Sequence, residues 1–211
     1  IAVVGLGFGE HHVRTIANMP EFELVGVADF NEGRRTEFAS RYGCAAFGDA
    51  ERMMDEVEAD AVSVCVSPRF RAPVLQAAVD RDVALFVEKP WATNAEHAAE
   101  LASICSTSTK PVMAGFSFRV HAAARRAIEL VGGSLGPVLI ATGSYVFEWL
   151  PPADAWLWDP ENGGGIFNEN SCHLLDVVCA LGGRPVELLA YGLATDGRPS
   201  EILVLSGDQL Y

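Results

Sequence analysis

Over its first 116 residues the chain alternates short, continuously apolar runs with stretches of helical spacing. The runs are IAVVG at 1–5, ELVGVAD at 23–29, CAAF at 44–47, AVSVCV at 61–66, ALFVE at 84–88 and PVMAGF at 111–116. Between them, apolar residues recurring every three or four positions predict helices near 11–18, 32–41, 49–55, 72–81 and 94–105. Strands without a polar face, each followed by a helix, belong in a parallel sheet covered on both sides. Six of them predict a doubly wound α/β domain over 1–117.

The first run leads directly into GLGFGEHH. Glycines between a strand and a helix permit a tight turn and let backbone N–H groups approach a pyrophosphate at the helix N-terminus. Gly5 and Gly7 have the spacing of a dinucleotide-binding turn, whereas the third glycine falls at Gly9, one position early, with Glu10 in its usual place. Asp29 closes the second run, where a carboxylate can accept both adenosine ribose hydroxyls and would repel a 2′-phosphate. NAD is the cofactor this predicts, and Arg34 and Arg35, either able to meet a 2′-phosphate, keep NADP open.

Composition narrows the partners. With 50% hydrophobic and 20% charged residues the chain can bury a core, which excludes a disordered class. A net charge of −13 without any basic cluster argues against nucleic acid. No apolar run reaches the length of a membrane span, and the N-terminus lacks a signal-peptide pattern. The five cysteines are scattered, with no CxxC pair and no metal-ligand spacing, which points to reduced thiols, a cytoplasmic compartment and no metal site. Ile1 opens directly in a strand and Tyr211 follows closely on another, EILVL at 201–205, the pattern of a chain with cut ends.

Four segments, GLGFGEHH, AVSVCVSP, ALFVEKPWATN and GGGIFNENSCHLLD, together resemble the Gfo/Idh/MocA family of oxidoreductases, which includes glucose-fructose oxidoreductase and inositol 2-dehydrogenase. The resemblance runs from residue 1 to about 183, and Glu88-Lys89-Pro90 after the fifth strand is its most specific element. It implies an N-terminal Rossmann domain and, over 118–211, an incomplete α/β domain with an open, mainly antiparallel sheet carrying the substrate site and often a dimer contact. That second part should hold a helix at 121–131, strands within 137–147, a glycine turn at Gly163 and a helix through Ala180.

The resemblance also implies roles. Gly5, Gly7, Phe8, Gly9, Asp29, Ser67, Pro68, Glu88, Lys89 and Pro90 would contact the cofactor, with a cis bond before Pro90 aiming Lys89 into the cleft. His11 and His12, at the start of the first helix, are expected to cap it or face solvent, the alternative, implied by the resemblance, being a histidine that packs against the cofactor loop. Lys89, Arg119, Trp156, Asn170 and His173 would contact a sugar or polyol, with Trp149 and Trp158 nearby in the WLPPADAWLWD loop. Lys89, His173 and Glu169 would carry the chemistry: His173 as acid or base, Lys89 stabilising the developing alkoxide, Glu169 standing where the family more often has Asp. Independently, Glu169 and His173 are four apart, so on a helix the carboxylate can orient an imidazole whose ordinary pKa of ~6.5 suits proton transfer at neutral pH. Asp176, three beyond His173, can do the same. The segment RFRAP at 69–73 departs from the Asn and His usual after Ser67-Pro68. The expected activity is hydride transfer between a nicotinamide and a hydroxyl or carbonyl, in a homodimer or homotetramer; the alternative is a non-enzymatic dinucleotide-binding regulator of the same fold.

Overall fold

The computed structural model describes residues 1–144, 152, 155, 159–162, 165, 167–195 and 198–206. The chain divides into two units, Ile1–Gly115 and Phe116–Tyr211.

In the first unit each predicted strand forms, shortened at its ends: β1 (Ala2–Val4), β2 (Gly26–Ala28), β3 (Ala45–Phe47), β4 (Ala61–Val64), β5 (Ala84–Val87) and β6 (Val112–Ala114). All pair in parallel, in the order β3-β2-β1-β4-β5-β6. The order reverses between β1 and β4, and this is where such sheets open a crevice at the carboxyl ends of their strands.

Helices α1 (Gly9–Ala17), α2 (Glu32–Tyr42), α3 (Ala50–Glu56), α4 (Arg71–Asp80) and α5 (Ala95–Ser106) cover both faces. Three start with a side chain that accepts a backbone N–H: Asn31 from Arg34, Asp49 from Arg52 and Asn94 from His97. Such caps are each worth about 1 kcal/mol against alanine.

Because strand side chains alternate, the sheet divides its residues between two cores. Ala2, Val4, Val62, Val64, Leu85 and Val87 pack with Met53, Leu75 and Leu101 beneath α3, α4 and α5. Val3 and Val27 face the other way and pack with Val13, Ile16 and Phe38 of α1 and α2. Burial of each such large aliphatic side chain contributes about 1.5–3 kcal/mol. By the same alternation Ser63, Phe86 and Glu88 project to the α1 side.

The second unit contains α6 (Ser117–Val120), α7 (Ala122–Gly132), a π-helical turn over Phe167–Ser171, α8 (Cys172–Gly182), β7 (Glu187–Thr195) and β8 (Arg198–Ser206). β7 and β8 pair antiparallel, from Glu187 opposite Ser206 to Thr195 opposite Arg198. The strand expected within 137–147 is not formed in its described part: residues 137–144 are irregular, and 145–147 lie outside the described residues. Among the described residues no helix is long and apolar enough to cross a membrane.

Candidate functional site

The glycine turn is built by three different constraints. Gly5 has a φ of +86°, and a Cβ there would come within 2.9 Å of the backbone of Cys65 and Val66 at the end of β4. Gly9 opens α1, where a Cβ would meet Cys65 and Val3 side chains at 3.1 and 3.2 Å. The shifted third glycine therefore still lets the helix sit close on the sheet. Gly7 differs from both: apart from its chain neighbours, nothing among the described residues lies within 4 Å of its absent Cβ. The open side of Gly7, beside an α1 N-terminus that lacks a side-chain cap, fits a phosphate group whose oxygens accept from backbone N–H.

Asp29 follows β2 and is 6% exposed. Its Oδ2 accepts from the Leu6 N–H at 2.7 Å and its Oδ1 from the Asn31 N–H at 2.8 Å, so the carboxylate braces the glycine turn. Each oxygen retains acceptor capacity for a ribose hydroxyl. Of the two arginines, Arg34 lies 3.8 Å from that carboxylate, while Arg35 donates to the main-chain carbonyls of Asp29 and Phe30 at 3.2 Å.

After β4, Ser67 leads into a turn over Pro68–Phe70 that delivers Arg71 to the interior. Arg71 is 1% exposed and donates to the carbonyls of Val66, Pro90 and Trp91. The departure at RFRAP thus places a buried cation under the Lys89 turn. Its position was readable, since Arg71, Leu75 and Ala78 share the buried side of α4.

At the end of β5, the Lys89–Pro90 bond is cis, and the Lys89 ammonium lies 5.9 Å from the centre of the Phe8 ring. Glu88 has both carboxylate oxygens engaged within the protein: Oε1 meets His12 Nε2 at 2.9 Å, and Oε2 accepts the Lys89 N–H at 2.9 Å. His12 also meets Ser63 Oγ through Nδ1 at 2.8 Å. His12 therefore neither caps the helix nor faces solvent but packs beside Phe8 of the glycine turn, ring centres 5.8 Å apart, in line with the alternative implied by the resemblance. It lies three residues from Gly9 and four from Ile16, both on the buried side of α1, and so turns toward the sheet. Burial opposes charge on the ring, hydrogen bonding to the Cys65 and Glu88 side chains favours it, and the balance pushes the imidazole up to about 10.

In the second unit His173, on the first turn of α8, is 7% exposed. Its ring stacks on Phe118 at 4.6 Å and meets the edge of Phe116 at 6.4 Å, which fixes the imidazole plane. Glu169 and Asn170 sit in the π-helical turn just before α8, a local widening that often accompanies functional sites. Asn170 brings its side-chain nitrogen into the interior without a hydrogen-bond partner among the described residues. Asp176 was a second candidate to orient His173; instead it receives a two-pronged bond from the Arg119 guanidinium, with Nε at 2.8 Å. Arg119 is placed by α6, one turn from Phe116. Trp149, Trp156, Trp158, Gly163 and Gly164 lie outside the described residues.

A sequence profile for the oxidoreductase family with an NAD-binding Rossmann fold matches residues 1–116, and the profile for the GFO/IDH/MocA C-terminal domain matches 121–202. The chain belongs to the GFO/IDH/MocA family. Among curated family members it is 28% identical over 193 residues to D-xylose 1-dehydrogenase (NADP(+)) 2 of Haloferax volcanii, which aligns 91% of this chain with 59% of that protein. It is also 28% identical over 197 residues to inositol 2-dehydrogenase of Rhizobium meliloti, covering 89% of this chain and 56% of the relative. The chain thus spans less than two thirds of the length of these relatives. The fold is shared with scyllo-inositol dehydrogenase of Lactobacillus casei, solved with NAD(H) and scyllo-inositol (TM-score 0.74, 20% identity, 92% of this chain and 59% of that one). Myo-inositol 2-dehydrogenase of Lactobacillus plantarum shares it as well (TM-score 0.73, 18% identity, 96% and 68%).

Proposed function

We propose that this GFO/IDH/MocA protein is an NAD(P)-dependent dehydrogenase or reductase acting on a CH–OH group of a sugar, inositol or related polyol. The observation that carries the reading is the Lys89 turn: the family's most specific tripeptide holds its ammonium beside Phe8 of the glycine turn. The glycine turn around the open side of Gly7, together with Asp29, suits a dinucleotide. The nicotinamide of that cofactor supplies the hydride acceptor or donor when bound.

The chain's own residues then divide the remaining work. Lys89 hydrogen-bonds the reacting oxygen and stabilises negative charge developing there. His173, its plane set by Phe118, takes the hydroxyl proton during oxidation and returns it during reduction. Glu169 and Asn170 precede His173 in the π-helical turn and tune or contact the substrate there, and Arg119 holds the adjoining helix through Asp176. Asp29 favours NAD, and the 28% identity to an NADP-dependent xylose dehydrogenase together with Arg34 keeps NADP in use. The relatives' names, D-xylose and inositol dehydrogenases, support the substrate class. Scattered cysteines without a disulfide suit a reducing, cytoplasmic compartment, and closed homo-oligomers are the common assembly of soluble proteins.

A panel of aldoses, inositols and their keto forms, offered with NAD(H) and NADP(H) and followed by nicotinamide absorbance, tests the reading. Turnover of at least one polyhydroxylated compound is expected, with Lys89→Ala and His173→Ala each abolishing it while binding of the dinucleotide persists. Dinucleotide binding with no turnover across the panel would overturn it in favour of a binding module. Normal turnover at saturating cofactor in either variant would overturn the assigned roles.

A further inference from the structure

A second group of polar side chains lies within the first unit, between the glycine-turn helix and the sheet, and no role in proton or hydride transfer uses it. His12 of α1 reaches Ser63 of β4 at 2.8 Å with Nδ1 and Glu88, just past β5, at 2.9 Å with Nε2. The pair is largely enclosed, with 16% of the His12 side chain and 12% of the Glu88 side chain exposed. Phe8 and Phe86 flank the imidazole, with ring centres 5.8 and 5.6 Å away. Gly115 closes in on Glu88 from the β6 side: a Cβ there would lie 3.3 Å from Oε1 and 3.4 Å from the Glu88 Cα.

We propose that His12 is a positioning residue for Lys89, acting through Glu88 and locking the lysine turn to the helix that opens the dinucleotide turn. The chain of contacts is continuous. With the imidazole donating to Oε1, the Glu88 side chain has one orientation in which Oε2 accepts the N–H of the next residue, Lys89. That bond fixes the peptide from which the Lys89 side chain leaves. The same imidazole is part of α1, whose first residue, Gly9, packs on β1 and β4. Glycine turn and lysine therefore share one anchor, so a cofactor seated on the turn and an oxygen held by Lys89 keep a fixed separation. Reaction rates are steep in such separations: a displacement of about 1 Å costs on the order of 100-fold.

The polar residue types make sense only together. Ser63 is the one hydroxyl in an otherwise apolar β4 run, and it lies on the face turned to α1 because strand side chains alternate. Ser63 Oγ can accept from Nδ1 while the carboxylate accepts from Nε2, an arrangement that puts protons on both ring nitrogens. An apolar side chain at position 12 would leave Ser63 and Glu88 enclosed without this donor, and Glu88 free to rotate off the Lys89 N–H.

The inference rests on Lys89 having the role given above, and the test separates the two. His12→Ala and His12→Gln are compared with the wild-type protein by steady-state kinetics, by dinucleotide titration, and by hydrogen exchange of the peptide spanning 86–92. In His12→Ala, kcat is expected to fall about 10–100-fold while the Kd for NAD(H) changes little, and exchange in 86–92 accelerates. Glutamine spans the same gap with one amide, donating to Glu88 and accepting from Ser63, so His12→Gln should recover a large part of both kcat and protection. Wild-type exchange in His12→Ala overturns the proposal, as does a loss confined to Kd or a defect that glutamine leaves unrepaired. If His12→Ala fails to fold, His12→Gln carries the decision: near-native kcat and exchange support the relay, and loss of both overturns it. Absence of turnover in the wild type would defeat the dehydrogenase reading, and exchange would still decide whether His12 holds the lysine turn.

Discussion

Replacing Arg71 by methionine removes the donors under the Lys89 turn while keeping an unbranched apolar stem. Three carbonyls, of Val66, Pro90 and Trp91, lose a charged donor in a place where the side chain is 1% exposed. A buried acceptor left unsatisfied costs about 1–3 kcal/mol. Against that, withdrawing an enclosed cation returns several kcal/mol of desolvation. The balance is a destabilisation of about 2–4 kcal/mol, nearer the value for one or two orphaned carbonyls than for all three. For a chain of this length each kcal/mol lowers Tm by about 2–4 °C, so a fall of about 5–15 °C is expected. Urea unfolding followed by tryptophan fluorescence measures the same quantity as a lower midpoint at constant slope. Arg71→Lys should recover less than half, because a single ammonium cannot match the directions of a planar fork. Since Pro90 and Trp91 flank Lys89, kcat should fall in both variants at temperatures where they remain folded. An Arg71→Met protein within about 0.5 kcal/mol of wild type, the range of ordinary surface substitutions, would refute the reasoning, and so would a lysine variant indistinguishable from wild type.

Two further outcomes follow from the cofactor side. Asp29→Ala should narrow the difference between NAD and NADP in a fluorescence titration and, because Leu6 and Asn31 lose their acceptor, lower the unfolding free energy by about 1–3 kcal/mol; unchanged selectivity would move the ribose contact elsewhere. Gly5→Ala and Gly7→Ala should separate fold from binding. The first forces a side chain into a left-handed backbone and against the β4 backbone at 2.9 Å, costing at least about 1–2 kcal/mol, whereas the second leaves Tm unchanged and weakens dinucleotide binding. Equal Tm losses in the two would contradict the assigned difference.

The seating of these residues differs in how far it could be read from the chain. Continuous apolar runs separated by helical spacing are enough to specify a parallel, two-faced sheet, because burial on both faces leaves no polar stripe. Right-handed crossovers then leave few strand orders, and the observed order is the common one for this pattern. Gly5 and Asp29 were visible because each lies at a strand end, where local backbone requirements mark the residue type, whereas the Glu88-Lys89-Pro90 turn stood out by its resemblance to the family's tripeptide. The irregular glycine spacing looked like a weakness. In three dimensions Gly9 still meets Cys65 and Val3, so the shift costs the helix nothing in closeness.

Residues that act through another element left a fainter mark. His12 and Arg71 carry charge on helix positions whose neighbours one turn away are buried, a sign that each needs an interior partner. Which partner could not be read, since Ser63, Glu88 and the Pro90–Trp91 carbonyls come from segments far along the chain and meet only when β4 and β5 pair. Asp176 shows the same limit from the other side: three residues from His173 on one helix, it is held by Arg119 of α6. Helical spacing lists the neighbours a carboxylate can have, but a cation brought in by a separate helix competes with them, and packing decides. The sequence by itself thus determined the sheet and the glycine turn, set by local burial and backbone geometry, and marked Lys89 only through the family resemblance. The tertiary structure decided which charges meet, because an enclosed charge takes the partner that the packed chain puts within hydrogen-bond reach.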